Sequence, residues 1–398
     1  MTLTEKERNE PDQPSSYRWV VLFASFFAFV VFAFAFQSVP PILNLLENNF
    51  GVTDAEAGLL MSMVVIPGIA LALPAGLIID RYGFRYVAVL SIISVAVSSL
   101  TTALANTFAV ALLGRFILGL GGAFLTVGTP AIIPQWFAHK EMGKAMGIFA
   151  TNMAMAVIIA FPAATVLTQS FGWRAPFYVG TVLAVVCALV FAVTVREGPL
   201  KGERRPIRGK EVKEAIKTGE VWKVSLIWLF FNTAGTAFLT WAPTLFQRFK
   251  SLEPFYASLL ASLVMYSSLF FVPLFGWISD RYGKRKPLII GGSVSMALSL
   301  IWISYASGPA LLLSVGTLGI SGAMTPPLLM AIVAQSLPPR LSGTGFSIVT
   351  LGQNIGAALS APLGGYLLQT TQSVVLTFFG ISLFAFACAA TALTIKSK

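Results

Sequence analysis

One arginine lies deep inside an apolar run. Arg115 sits in Leu112-Leu-Gly-Arg-Phe-Ile-Leu-Gly119-Leu-Gly-Gly122-Ala123, and no Asp or Glu falls in the middle of this or any other apolar segment. A charge in hydrocarbon costs at least about 2.5 kcal/mol, so Arg115 is expected to face a cavity or a partner. Three roles fit a guanidinium there. It binds an anionic group with its two-pronged donor, it lowers the pKa of a coupled group, or it donates to backbone carbonyls and fixes helix packing. A second pattern occurs twice. Gly76-Leu-Ile-Ile-Asp80-Arg81-Tyr82-Gly83-Phe-Arg85 returns as Gly276-Trp-Ile-Ser-Asp280-Arg281-Tyr282-Gly283-Lys-Arg285. Gly76 and Gly276 suit a close helix approach, and Gly83 and Gly283 suit a tight turn. Arg81 and Arg85, with Arg281 and Arg285, hold the turn at a membrane surface. Catalytic chemistry lacks its parts. His139 is the single histidine and sits in a short loop, and Cys187 and Cys388 stand in apolar surroundings without partners. No nucleophile–base pair, metal-ligand set or nucleotide-binding loop is present, so no enzyme activity, metal or cofactor is expected.

These residues are carried by apolar segments. Hydrophobic residues make up 56% of the chain and charged residues 11%, too few charges for a soluble domain. Twelve segments near bilayer-crossing length are read at about 19–43, 54–80, 85–105, 108–134, 144–168, 174–195, 222–247, 255–280, 287–306, 310–335, 343–369 and 373–395. An uncleaved first segment is expected, not a removed signal peptide. Thr53-Asp-Ala-Glu56 has the capping-box spacing that opens segment 2. The offset between the copies persists beyond the turn motif: Gly119, Gly122 and Ala123 pair with Gly319, Gly322 and Ala323, and Gly143 and Ile148 with Gly343 and Ile348. The chain is therefore two halves of one duplicated unit. With an even number of segments per half, the copies share one orientation and are related by an axis along the membrane normal. The expected fold is an all-α membrane protein with 12 transmembrane helices in two pseudo-symmetric six-helix bundles. Residues 1–18 form an N-terminal tail, 19–195 the first bundle, 196–221 a linker and 222–398 the second bundle. Within the linker, Glu211-Val-Lys-Glu-Ala-Ile-Lys217 fits either a short amphipathic helix on the membrane face or a solvated connection.

The net charge of +11 is distributed by side. Lys6, Arg8, Arg18, Arg81, Arg85, Lys140, Lys144, Arg281, Lys284, Arg285, Lys286, Arg340, Lys396 and Lys398 share one side with the basic linker. Arg174, Arg248 and Lys250 lie on the other. This asymmetry predicts a multi-pass protein of the cell membrane with both termini and the linker in the cytoplasm. It fits contact with anionic membrane lipid and excludes a nucleic-acid surface.

Over essentially its whole length the chain resembles the major facilitator superfamily. The doubled Gly-x-x-x-Asp-Arg-x-Gly-x-Arg motif is highly specific to that superfamily. The run around Arg115 resembles its segment 4 motif, and Phe171-Gly-Trp173-Arg174-Ala-Pro-Phe177 resembles its approach to segment 6. The Gly-Pro-x-x-Gly-Gly antiporter motif of segment 5 is replaced by Phe161-Pro162-Ala-Ala-Thr-Val, which argues against a proton-driven drug exporter. The resemblance implies alternating access. Asp80 is then expected to meet the N-terminus of segment 11 near Ser342 and Gly343, and Asp280 the start of segment 5 near Gly143 and Lys144. A carboxylate at a helix N-terminus is favoured by the dipole, so these contacts act as a latch on the cytoplasmic side. Segments 1, 4, 7 and 10 line the family's cavity, with contributions from 5, 8 and 11. The candidate substrate contacts are accordingly Arg115, Gln37, Asn152, Asn232, Thr233, Thr236, Trp241, Tyr266, Thr325, Gln353 and Asn354. Pro326-Pro327 frees backbone carbonyls in mid-helix beside Thr325. The Phe-rich stretch of segment 1 (Phe26, Phe27, Phe29, Phe32, Phe34, Phe36) is assigned to packing and lipid contact. The expected function is secondary active or facilitative transport of a small organic or inorganic anion by a monomer, in the manner of the cyanate-, nitrate- and monocarboxylate-type branches. The alternative is an exporter of hydrophobic or cationic compounds, which a buried acid would support.

Overall fold

The structure is a computed structural model that describes residues 16–71, 74–137, 139–196, 198, 217–283, 285–336 and 342–395, of which positions 80, 139–140, 334–336 and 342–344 are described by their backbone. Most of the linker, including 211–216, lies outside the described residues, as does the tail before 16.

Apolar runs of this length have one way to satisfy their backbone in lipid, which is to bond within the helix. The first half supplies α1 (Tyr17–Gln37), α2 (Asp54–Leu71, resumed at Pro74–Tyr82), α3 (Phe84–Ala103), α4 (Phe108–Ile132), α5 (Asn152–Phe171, led by His139–Phe149) and α6 (Ala175–Thr194). The second half supplies α7 (Gly219–Lys250), α8 (Pro254–Tyr282), α9 (Arg285–Tyr305), α10 (Gly308–Ser336), α11 (Ser342–Thr371) and α12 (Val374–Leu393). Among the described residues, 11 helical stretches are long and apolar enough to cross a bilayer. The remaining one, α11, has 30 residues but carries Gln353, Asn354 and several Ser, Thr and Gly. It packs against α7 and α2, so protein and not lipid surrounds much of it. The all-α, two-bundle architecture expected from the repeat is the architecture found.

The end of the first segment differs from expectation. The apolar run to 43 is not one helix. Pro40 and Pro41 lack the amide hydrogens that would continue the ladder, so the chain leaves α1 at Gln37, makes a 3-10 turn at Pro40–Ile42 and starts a separate short helix, Leu43–Phe50. Gly51 closes that helix at φ 63°, a conformation costly for residues with a Cβ. α1 alone has 21 residues, about 31 Å of rise, enough to cross the hydrocarbon without the short helix. The capping box of α2 forms as expected: Thr53 N–H donates to Glu56 at 2.8 Å, and Glu56 N–H donates to Thr53 Oγ1 at 3.3 Å.

The halves touch mainly through α2 against α11 and α5 against α8. At the end away from the termini they are drawn close. A Cβ added at Gly58 would sit 2.6 Å from the Ala361 backbone, and one at Gly365 would sit 2.3 Å from the Asp54 carbonyl. Only glycine permits this approach of two membrane helices.

Candidate functional site

A cavity of about 630 Å³ lies between the halves. Most of its wall is apolar. Phe29, Phe32 and Phe36 of α1 face Phe231 and Phe238 of α7 and Phe346 of α11 across it. The spacing of Phe29, Phe32 and Phe36 puts them on one helix face. The assignment of this stretch to packing is thus corrected for three of its members, while Phe27 is 56% exposed on the outside. Phe32 can reach inward because Gly122 of α4 leaves room: a Cβ there would fall 2.3 Å from its ring.

The polar part of the wall is made of amides and hydroxyls. Gln37, Asn232, Thr236, Gln353 and Asn354 all line the cavity, joined by Thr126, Ser268, Ser347 and Thr350, which the sequence reading missed. Two of the amides are oriented by Trp228. Its indole N–H donates to Gln353 Oε1 at 2.7 Å, and its carbonyl accepts from Asn232 Nδ2 at 3.0 Å. With its oxygen engaged, Gln353 presents its NH₂ as a donor, and Asn232 correspondingly presents an acceptor. Gln37 is 3% exposed and its Oε1 has no hydrogen-bond partner. A buried polar atom left in that state is stabilised by a ligand or water that supplies a donor. No charged side chain lines the cavity among the described residues.

Arg115 stands behind this wall. It is 1% exposed, and its guanidinium donates to the carbonyls of Leu60 at 3.0 Å, Ala35 at 2.7 Å and Phe36 at 2.8 Å. It also lies 5.8 Å from the centre of the Phe36 ring, and Phe36 itself lines the cavity. The rigid fork thus ties α4 to α1 and α2, the third of the three roles open to it from sequence. No carboxylate neutralises it among the described residues.

Other candidates are also placed off the cavity wall. Trp241 is fully buried, with its indole on Gly364 and its N–H donating to Ala361 at 2.8 Å. Thr233 donates to the carbonyls of Leu229 and Gly356. Asn152 is buried and Tyr266 is 37% exposed, and neither lines the cavity. Thr325 is buried with an unpartnered hydroxyl, while its neighbour Pro326 does reach the wall.

The cavity is shut at the end away from the termini. Arg248 of α7 bridges the halves, donating to Asp54 at 2.7 Å and to Glu47 of the short helix. Asn44 and Gln247 meet at 3.1 Å, Thr165 and Ser258 at 2.7 Å, and Gln169 and Glu253 at 3.2 Å. Ser62 donates to the Ala358 carbonyl. This ionic closure was missed in the sequence because Glu47 fell past the assumed end of segment 1. Its signal was Arg248, one of three cations on the sparsely charged side. The other two are likewise engaged: Arg174 donates to the carbonyls of Ala103 and Ala105, and Lys250 to those of Ser304 and Ala306.

At the terminus end the doubled motif forms two turns. Gly83 and Gly283 adopt φ of 85° and 66°. Arg81 covers Tyr82 and Arg281 covers Trp277 at 5.4 and 5.3 Å, and Arg85 donates to the Ala192 carbonyl. Asp280 is 76% exposed and pairs with Arg285 at 3.6 Å in its own turn, not with the start of α5. A Cβ on Gly76 would meet nothing within 4 Å, so the close approach expected there is absent in this conformation, and Gly276 has only Pro327 nearby. The side chains of Asp80, Ser342, Gly343 and His139 lie outside the described residues.

Known proteins agree with this geometry. The Major Facilitator Superfamily profile matches residues 25–259 and 249–398. A probable nitrate/nitrite antiporter of Thermus thermophilus is 26% identical over 289 residues, which span 70% of this chain and 64% of that one. A probable sulfoacetate transporter of Cupriavidus necator is 23% identical, with 84% of this chain and 83% of that one covered. Among solved structures, a bacterial homologue of the human lysosomal transporter Spinster, in an inward-facing and unoccupied conformation, superposes with a TM-score of 0.81 at 18% identity over 97% of this chain and 100% of that one. Twin six-helix bundles around a central cavity, the doubled turn motif and a profile match across both halves lead to one conclusion: the chain is a membrane transporter, not an enzyme, and belongs to the Major Facilitator Superfamily.

Proposed function

We propose that this transporter carries a small organic anion with an apolar body, by alternating access of the central cavity to the two sides of the membrane. The observation that carries the reading is the composition of that cavity. Phenylalanine rings can hold an apolar body, amide and hydroxyl donors can hold an oxyanion, and Arg115, the one buried cation among the described residues, stands behind Phe36 with no counter-charge among them. In a low dielectric such a charge favours an anion even without contact. Relatives named for nitrate, galactonate and sulfoacetate transport support an anionic substrate. With both termini in the cytoplasm, as the charge asymmetry predicts, the closed end is the outer one and the cavity faces inward. A second reading draws on the same wall: six phenylalanines and no lining charge also suit a neutral hydrophobic compound. A cationic substrate has no acid to meet there. The test is thermal unfolding of the purified protein with matched pairs, each a carboxylate and its uncharged amide. A ligand that binds only the folded state raises the melting temperature. The anion reading requires a larger shift for the carboxylate at equal concentration. Equal shifts within each pair support the neutral compound instead.

A further inference from the structure

A second hollow lies on the outside of the first bundle, away from the central cavity. There α1 and α6 leave a groove of about 520 Å³ between them. It extends from Trp19 to Val31 on α1 and from Thr194 back to Leu183 on α6. The stretch from Trp19 to Val31 rises about 18 Å. One leaflet of hydrocarbon, half the core of a bilayer, is about 15 Å deep. The groove thus runs from the membrane surface on the side of the termini to the region of the midplane. Small side chains give it depth. Ala24 and Cys187 are half-buried in its wall, while Phe23, Phe27, Val186 and Val190 stand exposed beside them.

The mouth of the groove is aromatic and cationic. The Trp19 ring forms part of the wall, and Lys144 Nζ lies 5.3 Å from the centre of that ring. On the α6 side the Tyr17 hydroxyl donates to the Thr194 carbonyl, and the Arg196 guanidinium lies 5.5 Å from the Tyr17 ring. The Arg196 carbonyl accepts from the Trp136 indole at 3.2 Å, which holds the residue in place. Lys144 and Arg196 are exposed, and neither pairs with a carboxylate among the described residues. The neighbouring Glu141 is engaged by Arg18 at 2.7 Å. Trp and Tyr rings favour the headgroup level of a bilayer, so the two cations stand at the level of lipid phosphates.

We propose that the α1–α6 groove binds one anionic phospholipid of the leaflet on the side of the termini, an acyl chain lying along the groove and the headgroup phosphate meeting Lys144 and Arg196. Basic pockets between membrane helices select anionic headgroups, and a phosphate supplies the acceptors that both cations lack. A groove one leaflet deep suits a lipid chain. A partner helix would run through the full thickness. A second copy of this chain, related by a two-fold axis along the membrane normal, would bring each cation close to its own image, where like charges repel. Both walls belong to the first bundle, so the site persists while the halves rock, and the lipid is a fixed neighbour and not a substrate.

The test is native mass spectrometry of the full chain, purified in detergent and given equal amounts of phosphatidylglycerol and phosphatidylcholine with matched chains. Each basic residue near an anionic headgroup is worth about fivefold in affinity, so two give about thirtyfold. The first lipid bound should therefore be phosphatidylglycerol, by about tenfold or more. Lys144→Gln combined with Arg196→Gln should bring the two lipids near parity. Lys223→Gln, which removes a basic residue of the second bundle that pairs with Glu220, should keep the wild-type preference. Ala24→Phe, which fills the groove, should sharply lower occupancy by both lipids, and Cys187→Leu, a smaller intrusion, should lower it less. Parity in the wild type overturns the proposal. So does an unchanged preference in the double variant, whose exposed positions leave folding intact. Loss of preference in Lys223→Gln overturns it as well, because net charge and not the groove then selects the lipid. Unchanged occupancy in a groove-filling variant of wild-type melting temperature does the same. Dimers that vanish in Ala24→Phe also overturn it, since a second copy then covers the groove.

Discussion

At the scale of single residues, the strongest constraint is on Arg115. Its three carbonyl acceptors lie on two different helices. Arg115→Ala removes three hydrogen bonds and leaves the Ala35 and Phe36 carbonyls, at the end of α1, without a donor, at a cost on the order of 3 kcal/mol. The expected outcome is a clear fall in the melting temperature of the ligand-free protein. Arg115→Lys should recover only part of it, because a single ammonium cannot match the planar fork. Gln353 behaves differently. Its amide is held by Trp228 and points a donor into the cavity, so Gln353→Leu should weaken ligand binding about tenfold, the loss of one ordinary hydrogen bond to a charged group, while melting falls less than in Arg115→Ala because only the Trp228 N–H loses its acceptor. A Tm measured on both proteins with and without ligand separates the two roles. The sequence made the amides on α7 and α11 legible, since a polar side chain in a membrane helix has few reasons to be there. It did not separate Gln353 from Trp241 or Thr325, because the helix rotation that turns one to the cavity and the other to a neighbour depends on packing between helices.

At the scale of elements, the closure at the end away from the termini rests on two helices meeting at glycine. A Cβ at Gly58 or Gly365 would strike backbone on the opposite helix. Gly58→Val should therefore wedge α2 from α11, lower the transport rate at least tenfold and lengthen the distance between spin labels placed across that end. Unchanged transport in that mutant would show that the closure is not part of the cycle. The turns of the doubled motif should matter in the opposite state. Asp280 is exposed here and pairs within its own turn. If it later meets the start of α5, Asp280→Asn should slow transport severalfold without reducing the ligand-induced rise in melting temperature. Helix count and repeat were legible from hydrophobic runs and from the doubled motif. The short helix carrying Glu47 was not, because the apolar run passes unbroken through Pro40-Pro41 while the backbone cannot.

At the scale of the whole molecule, the two bundles touch at the end away from the termini and enclose a cavity with Arg115, the one buried cation among the described residues, near it. The charge asymmetry was fully visible in sequence, because it depends on where basic residues fall between segments and not on packing. It predicts that reporters fused to either terminus remain on the cytoplasmic side, readable by protection from protease in right-side-out vesicles. The conformation was not visible, since one sequence serves both the inward- and outward-facing states that alternating access requires.

The central claim, that this cavity moves an organic anion, is tested most directly by counterflow in proteoliposomes. Vesicles containing the purified protein are loaded with an unlabelled carboxylate chosen from the melting screen, then diluted into a trace of the same compound carrying a radiolabel. Label should accumulate transiently above the level in protein-free vesicles, about tenfold less so in Gln353→Leu at low substrate, and the matching uncharged amide should not compete. Equal competition by the amide, or accumulation of the amide itself, would contradict an anionic substrate.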